Sequence, residues 1–114
     1  MGMHTDFRTF TIPISGTSGT VQLEGWDTFG LLIPTLDSTT LKLQVSQDGS
    51  NYFDVKDGGG TQVCNYAAGT GSFAVSTRDM ADIAGYKYLA VICGSAQNSA
   101  ARTFTLCFKA PGRR

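Results

Sequence analysis

One histidine, one tryptophan and three prolines are all that this 114-residue chain has of those types, and its nine lysines and arginines are cancelled by nine aspartates and glutamates. Each shortage excludes something. With His4 alone, and no nucleophile near it in sequence, a histidine-dependent triad or a histidine-rich metal centre has nothing to be built from. A formal net charge of zero leaves no field to draw the chain onto nucleic acid or an anionic membrane, so neither is expected as a partner. The apolar residues come in short runs that fall below the roughly 18 needed for a membrane-spanning helix. Met1 to Asp6 has neither a basic region nor an apolar one, so no conventional secretory signal is read there and synthesis in the cytoplasm is expected. Cys64, Cys93 and Cys107 are odd in number and lack C-x-x-C spacing, which signals neither a disulfide framework nor a zinc site. All three are read as reduced thiols.

What the chain does have is 14 glycines, many serines and threonines, and few helix-forming runs, a balance that belongs to strands and turns. Its length suits one domain, residues 1–114, with one core. Phe10, Ile12 and Ile14 alternate along a first strand whose Pro13 removes a ladder donor and suits an edge. Val21 and Leu23 share a face of a second strand after the Gly16–Gly19 turn. Trp26 to Ile33 reads as a central strand, because Leu32 makes its second face apolar as well. Leu41 to Ser46 and Tyr52 to Val55 read as a β-hairpin. Leu43 and Val45 meet Val55 and Phe53 on the core face only if paired residue numbers sum to an even value such as 98, which demands an odd-length loop with a glycine-assisted bulge. Asp57 to Thr61 is a glycine-rich connection expected to be flexible, and short strands follow near Thr61 to Tyr66 and Ser72 to Val75. Thr77 to Gly85 is the one helical candidate, of one or two turns, with Thr77 as N-cap. Tyr86 to Cys93 and Arg102 to Lys109 read as a final hairpin, with pairs summing to about 197 and an apolar far face of Tyr86, Tyr88, Ile92 and Cys107. About eight strands with no βαβ alternation predict an all-β, antiparallel, jelly-roll-like sandwich.

No catalytic set is legible, so an enzyme is not expected. Asp48, Asn51, Asp54 and Asp57 imitate a calcium loop, but Tyr52 stands where the EF-hand order needs a ligand and no glutamate closes it. Gly58-Gly59-Gly60 lacks the helix and lysine of a phosphate-binding loop. Asp79 and Asp82 at i,i+3 spacing are explained by capping and solvation. No cofactor or metal is expected. Trp26, Tyr52, Tyr66, Tyr86 and Tyr88 are aromatics that could stack on a sugar ring.

The stretch Leu43-Gln-Val-Ser-Gln-Asp-Gly-Ser-Asn-Tyr-Phe-Asp-Val55, with Gly85-Tyr-Lys-Tyr-Leu-Ala-Val-Ile-Cys-Gly-Ser-Ala-Gln97 and Arg102-Thr-Phe-Thr-Leu106, resembles small β-sandwich virion structural proteins of tailed bacteriophages. The resemblance covers roughly residues 40–109. It implies a capsid decoration (cement) protein, located in the virion, that binds the major capsid protein or other virion proteins as a dimer or trimer. The alternative is a carbohydrate-binding or receptor-binding module of a tail fibre. Candidate contact residues are Phe7, Arg8 and Phe10 on an N-terminal arm, residues 1–9 with the start of the first strand, together with Tyr86, Tyr88 and Ile92. Residues 110–114 form a short basic tail.

Overall fold

The computed structural model describes residues 4–23, 27–69, 71–83 and 86–110. Along them run β1 (His4–Ile12), β2 (Ser18–Gln22), β3 (Asp27–Ile33), β4 (Thr40–Ser46), β5 (Phe53–Asp54), β6 (Asn65–Ala67), β7 (Phe73–Ala74), α1 (Thr77–Ile83), β8 (Tyr88–Cys93) and β9 (Arg102–Ala110). Two antiparallel sheets result. Sheet A has the order β1-β9-β3-β7, and sheet B has the order β2-β8-β4-β5, with β6 also paired to β4. β5 and β6 lie along opposite ends of β4, and the Leu43 amide donates to the Cys64 carbonyl between them at 3.0 Å. Together they act as one broken edge strand. Counted that way, the eight strands cross between the sheets at every step except from β4 to the β5–β6 edge, which is jelly-roll order, as the sequence predicts.

Alternation decides which side chains fill the interior. Ile12, Leu31, Ile33, Leu41, Leu43, Leu89, Val91, Phe104 and Leu106 are all at most 2% exposed and meet between the sheets. Phe10 and Phe104 stack there, with ring centroids 5.3 Å apart and planes 15° apart. Each such side chain contributes about 1.5–3 kcal/mol by leaving water. Buried Gln97 ties the sheets together at one end. Its Oε1 accepts from the Asp37 amide at 2.9 Å, its Nε2 donates to Cys93 Sγ at 3.3 Å, and its backbone bonds Ser15 and Gly16.

The hairpin register holds: Gln44 pairs with Asp54 and Val45 with Phe53, across an odd loop whose Gly49 has φ of 79°. Asp48 closes that loop by accepting from the Ser50 and Asn51 amides, both at 2.8 Å. The helix also stands where it is expected, but its cap is Ser76. The Ser76 hydroxyl accepts from the Asp79 amide at 3.3 Å, and its carbonyl accepts from the Met80 amide at 3.0 Å.

Four expectations need correction. β8 and β9 do not form a hairpin: β8 pairs with β2 and β4, and β9 with β1 and β3. Leu89, Val91 and Cys93 do oppose Phe104, Leu106 and Phe108, but across the core rather than along a ladder. The proposed apolar far face is therefore divided, with Tyr88 and Ile92 on the outside of sheet B and Cys107 on the outside of sheet A. Residues 4–9, read as an arm, are the first part of β1, because β9 offers them an unbroken partner from His4↔Ala110 to Ile12↔Arg102. Phe53 holds its register yet is 64% exposed, since β5 is the sheet edge. Residues 57–61 form a bonded turn, in which Asp57 Oδ1 accepts from the Gly59 and Thr61 amides at 2.9 and 3.0 Å. Trp26, residues 1–3, Gly85 and the tail from 111 lie outside the described residues.

Candidate functional site

Five large apolar side chains stand exposed among the described residues: Phe7, Ile14, Leu32, Phe53 and Tyr86. The topology gathers four of them into two places. Phe7 and Leu32 share the outer face of sheet A, where the ladder sets Phe7 beside Cys107 and Gly30, and Thr9 beside Thr105, Leu32 and Ala74. Thr11 and Thr103 continue this face, their hydroxyls 3.4 Å apart. The outward residues whose side chains are described carry no charge. Most are short, and a Cβ on Gly30 would meet Cys107 Cβ at 3.2 Å, so the middle of the face is flat and Phe7 and Leu32 rise from it. A groove of about 320 Å³ lined by Leu32, Pro34, Phe73, Thr103 and Thr105 lies at its far side.

The second place is a cleft of about 350 Å³ at the β5 edge of sheet B, with Phe53 and Tyr86 in its walls and Gln47, Asp54 and Lys56 among its polar lining. Gln47 Oε1 accepts from the Lys87 amide at 3.3 Å, tying the turn that carries Tyr86 to the end of β4. Asp54 Oδ1 accepts from Gln44 Nε2 at 2.8 Å and faces Lys42 Nζ at 3.2 Å. These donors hold the Asp54 carboxyl below the ordinary carboxylate range, so it is ionised at neutral pH.

The remaining sequence candidates are dispersed. Phe10 is core, 8% exposed. Arg8 is half-buried at the rim of the interior: its Nη1 donates to the Gln22 carbonyl at 3.0 Å and its guanidinium lies 5.8 Å from the Phe108 ring centre. Tyr88 lies under the 46–52 loop, its ring 3.3 Å from where a Cβ on Gly49 would stand. Ile92 lines a depression of about 540 Å³ with Lys42, Asn65 and Ala67. Leu32 and Phe53 complete the two exposed pairs. Sequence reading noticed the apolar second face of Leu32 without assigning it to a site, and it placed Phe53 in the core. The Asp57-Gly58-Gly59-Gly60 run so soon after Phe53 was the available signal that the strand is short and ends a sheet.

Cys64, Asp79 and Asp82 bring potential ligand atoms within 4.8 Å of one another beside α1. Burial, followed by the Asp79 charge, pushes the Cys64 thiol up to about 11, so it stays protonated at neutral pH. Asp79 Oδ2 already accepts from the Tyr66 hydroxyl at 2.7 Å, and burial, then that bond, raises the phenol. The Tyr66 ring also packs on Phe73, centroids 5.8 Å apart, which commits it to holding α1 and β7 in place. These groups form an internal bonded cluster, poorly suited to thiolate chemistry.

No family model matches the chain, and no curated protein does. Solved structures do. The SPBc2 prophage-derived protein YomS superposes with a TM-score of 0.54 over 94% of this chain and 96% of its own, at 10% identity. A subunit of the Bacillus endospore appendages, described as disulfide-linked pili, superposes at 0.50 over 98% of this chain and 90% of its own, at 12% identity. A carbohydrate-binding module, CBM32-3, from a Clostridium perfringens family 31 glycoside hydrolase gives 0.42 over 83% and 66%, at 13% identity. The likeness is one of fold. It places the chain among β-sandwich domains whose neighbours include a prophage protein and a pilus-like appendage.

Proposed function

We propose that this chain is a virion structural protein of a tailed bacteriophage, a decoration protein that docks on the capsid exterior through the outer face of sheet A. The observation that carries the reading is that face itself: uncharged among its described side chains, mostly flat, with Phe7 at 64% and Leu32 at 47% exposure on one side of one sheet. Water is a poor solvent for such a surface, and burying it against another protein is favourable at about 25 cal/mol per Å² of apolar area. A prophage-derived protein of the same fold supports the setting.

From strand rise and spacing, the face spans roughly 400 Å², about half of what one partner contributes to a standard stable interface. One copy therefore docks weakly, and residence on a shell depends on added contacts with neighbouring copies. The test is co-sedimentation of purified protein with expanded capsids that lack it. Saturable binding at a fixed ratio to coat protein, lost in a Phe7→Ser, Leu32→Ser double variant that still folds, is the expected result. Capsids that remain bare at high protein concentration would overturn the proposal, as would the double variant binding unchanged.

A further inference from the structure

Ile14, 55% exposed, belongs to neither of the two exposed pairs, and it sits in the link between β1 and β2. That link, residues 13–17, carries the chain from sheet A to sheet B in a tight reversal. The Gly16 amide donates to the Pro13 carbonyl at 2.9 Å, closing a four-residue turn whose third residue is Ser15, with φ of 67°. A positive φ at that position calls for glycine, and a residue with a Cβ is strained there. Here the glycine stands one residue too late. The strand that this turn ties back is the edge of sheet A, held by its ladder to β9, by the Arg8 bond to the Gln22 carbonyl, and by Phe10 and Ile12 in the core. A second copy offers every one of these partners in the same geometry.

We infer that two copies of this chain exchange β1, each first strand completing sheet A of the other, with residues 13–17 as the hinge. Exchange keeps both sandwiches whole but opens the turn, so Ser15 returns to an extended conformation and its strain is released twice per dimer. Pro13 suits the open form, because its φ is fixed at about −65°. Five hinge residues reach about 17 Å when extended. The two hinges then run antiparallel past each other, which sets each Ile14 against its neighbour's hinge and takes it out of water. Opening is opposed by the Ser15 amide bond to the Gln97 carbonyl at 2.6 Å and the Gln97 amide bond to the Gly16 carbonyl at 3.0 Å, and by the entropy lost on association. Chain concentration therefore decides which form is populated. Phe7 travels with β1 and arrives beside the neighbour's Cys107 and Gly30, so the outer face of sheet A is rebuilt unchanged. Exchange does not depend on capsid docking, but on a shell it supplies a link between neighbouring copies.

The test is refolding of the full chain from urea at micromolar and at millimolar concentration, followed by size-exclusion chromatography with light scattering. A dimer is expected from the concentrated sample alone, and it keeps its size for hours after dilution, because β1 leaves β9 only when a sandwich opens. Ser15→Gly relieves the turn and lowers the dimerisation constant at least about tenfold, whereas Ser15→Val, whose branched side chain fits a positive φ poorly, raises it. Ser15 is exposed, so both variants keep the native circular dichroism. The exchanged strand is identified by co-refolding a Thr9→Cys chain with a Thr105→Cys chain, both also carrying Cys107→Ala, under copper-catalysed air oxidation. Thr9 and Thr105 are partners in the β1–β9 register, so cross-links between the two different chains are expected to exceed those between like chains. A wild-type chain that stays monomeric at millimolar concentration, a dimer that falls apart on dilution, an undiminished dimer yield from Ser15→Gly, or like-chain links in equal or greater amount would each overturn the inference. Chromatography uses no capsid, so exchange and docking can each fail without the other.

Discussion

β8 and β9 hold equivalent places, each flanked by two strands of its sheet, and their inner faces are equally apolar; their outer faces are not. Outside β8, Ala90 is only 2% exposed, because it lies between Thr20 and Gln44 with Tyr88 and Ile92 along its own strand. Lys42 and Gln44 both bond Asp54 beside it. Outside β9 stand Thr103, Thr105 and Cys107, with Gly30 and Ala74 beyond them on β3 and β7. Sheet B covers its own backbone with long, mutually bonded side chains that water tolerates. Among its described side chains, sheet A leaves a low surface on which Phe7 and Leu32 stand exposed. The interior that the two strands share specifies the fold, and the outer residues in which they differ specify what the fold meets.

The widest contrast lies between the two sides of β9 itself. Phe104 is fully buried and stacked on Phe10, so Phe104→Ala is expected to cost about 3–5 kcal/mol in urea denaturation. Thr105→Ala, one residue away on the outer face, is expected to fall within about 0.5 kcal/mol. Equal losses would show that the outer face of sheet A is covered in the isolated chain and would break the comparison. Next in size is Gln97→Ala, expected to cost about 1–3 kcal/mol because it strands the Asp37 amide that Gln97 Oε1 satisfies. That variant loosens the end of the sandwich where the strands of both sheets are tied, so the loss falls on both faces together.

Local pattern carried much of this architecture. Face parity placed Val45 opposite Phe53 and Gln44 opposite Asp54, since a slip of one residue would have turned Leu41 and Leu43 to solvent. Thr77 to Ile83 was legible from helix chemistry, although the capping hydroxyl belongs to Ser76, one residue earlier. What parity cannot supply is the choice of partner. Leu89, Val91 and Cys93 must face Phe104, Leu106 and Phe108 whether the two strands are neighbours in one sheet or lie across the core, and jelly-roll alternation selects the second. The same ambiguity hid the candidate sites. Phe53 has the parity of a core residue and is exposed only because β5 ends the sheet, and its proximity to Tyr86, 33 positions on in the sequence, is a fact of topology alone.

Acid separates loop chemistry from sheet chemistry. Asp48 is held far below the ordinary carboxylate range, chiefly by the Asn51 and Ser50 amides, and Asp37 is lowered first by the Ser99 amide. A carboxyl whose folded pKa is depressed stabilises fully above its unfolded value of 3.8 and loses that contribution as pH falls toward the folded one. The urea midpoint is therefore expected to hold from neutrality to about pH 5 and to decline below pH 4. Asp48→Asn should flatten that decline while lowering the midpoint at neutral pH. An unchanged acid slope would mean that the 46–52 loop keeps the same bonds after unfolding.

The smallest expected change in stability is the most informative about the two faces. Phe7→Ser on sheet A and Lys42→Ala on sheet B both alter exposed positions, and both are expected to leave the urea midpoint nearly unmoved, the second because exposed ion pairs contribute little. Their effects on capsid binding should diverge: Phe7→Ser removes an aromatic from the proposed contact and speeds release, while Lys42→Ala leaves co-sedimentation intact. If Lys42→Ala were instead the variant that released the protein, sheet B would be the docking side, and the short side chains outside β9 would need another explanation.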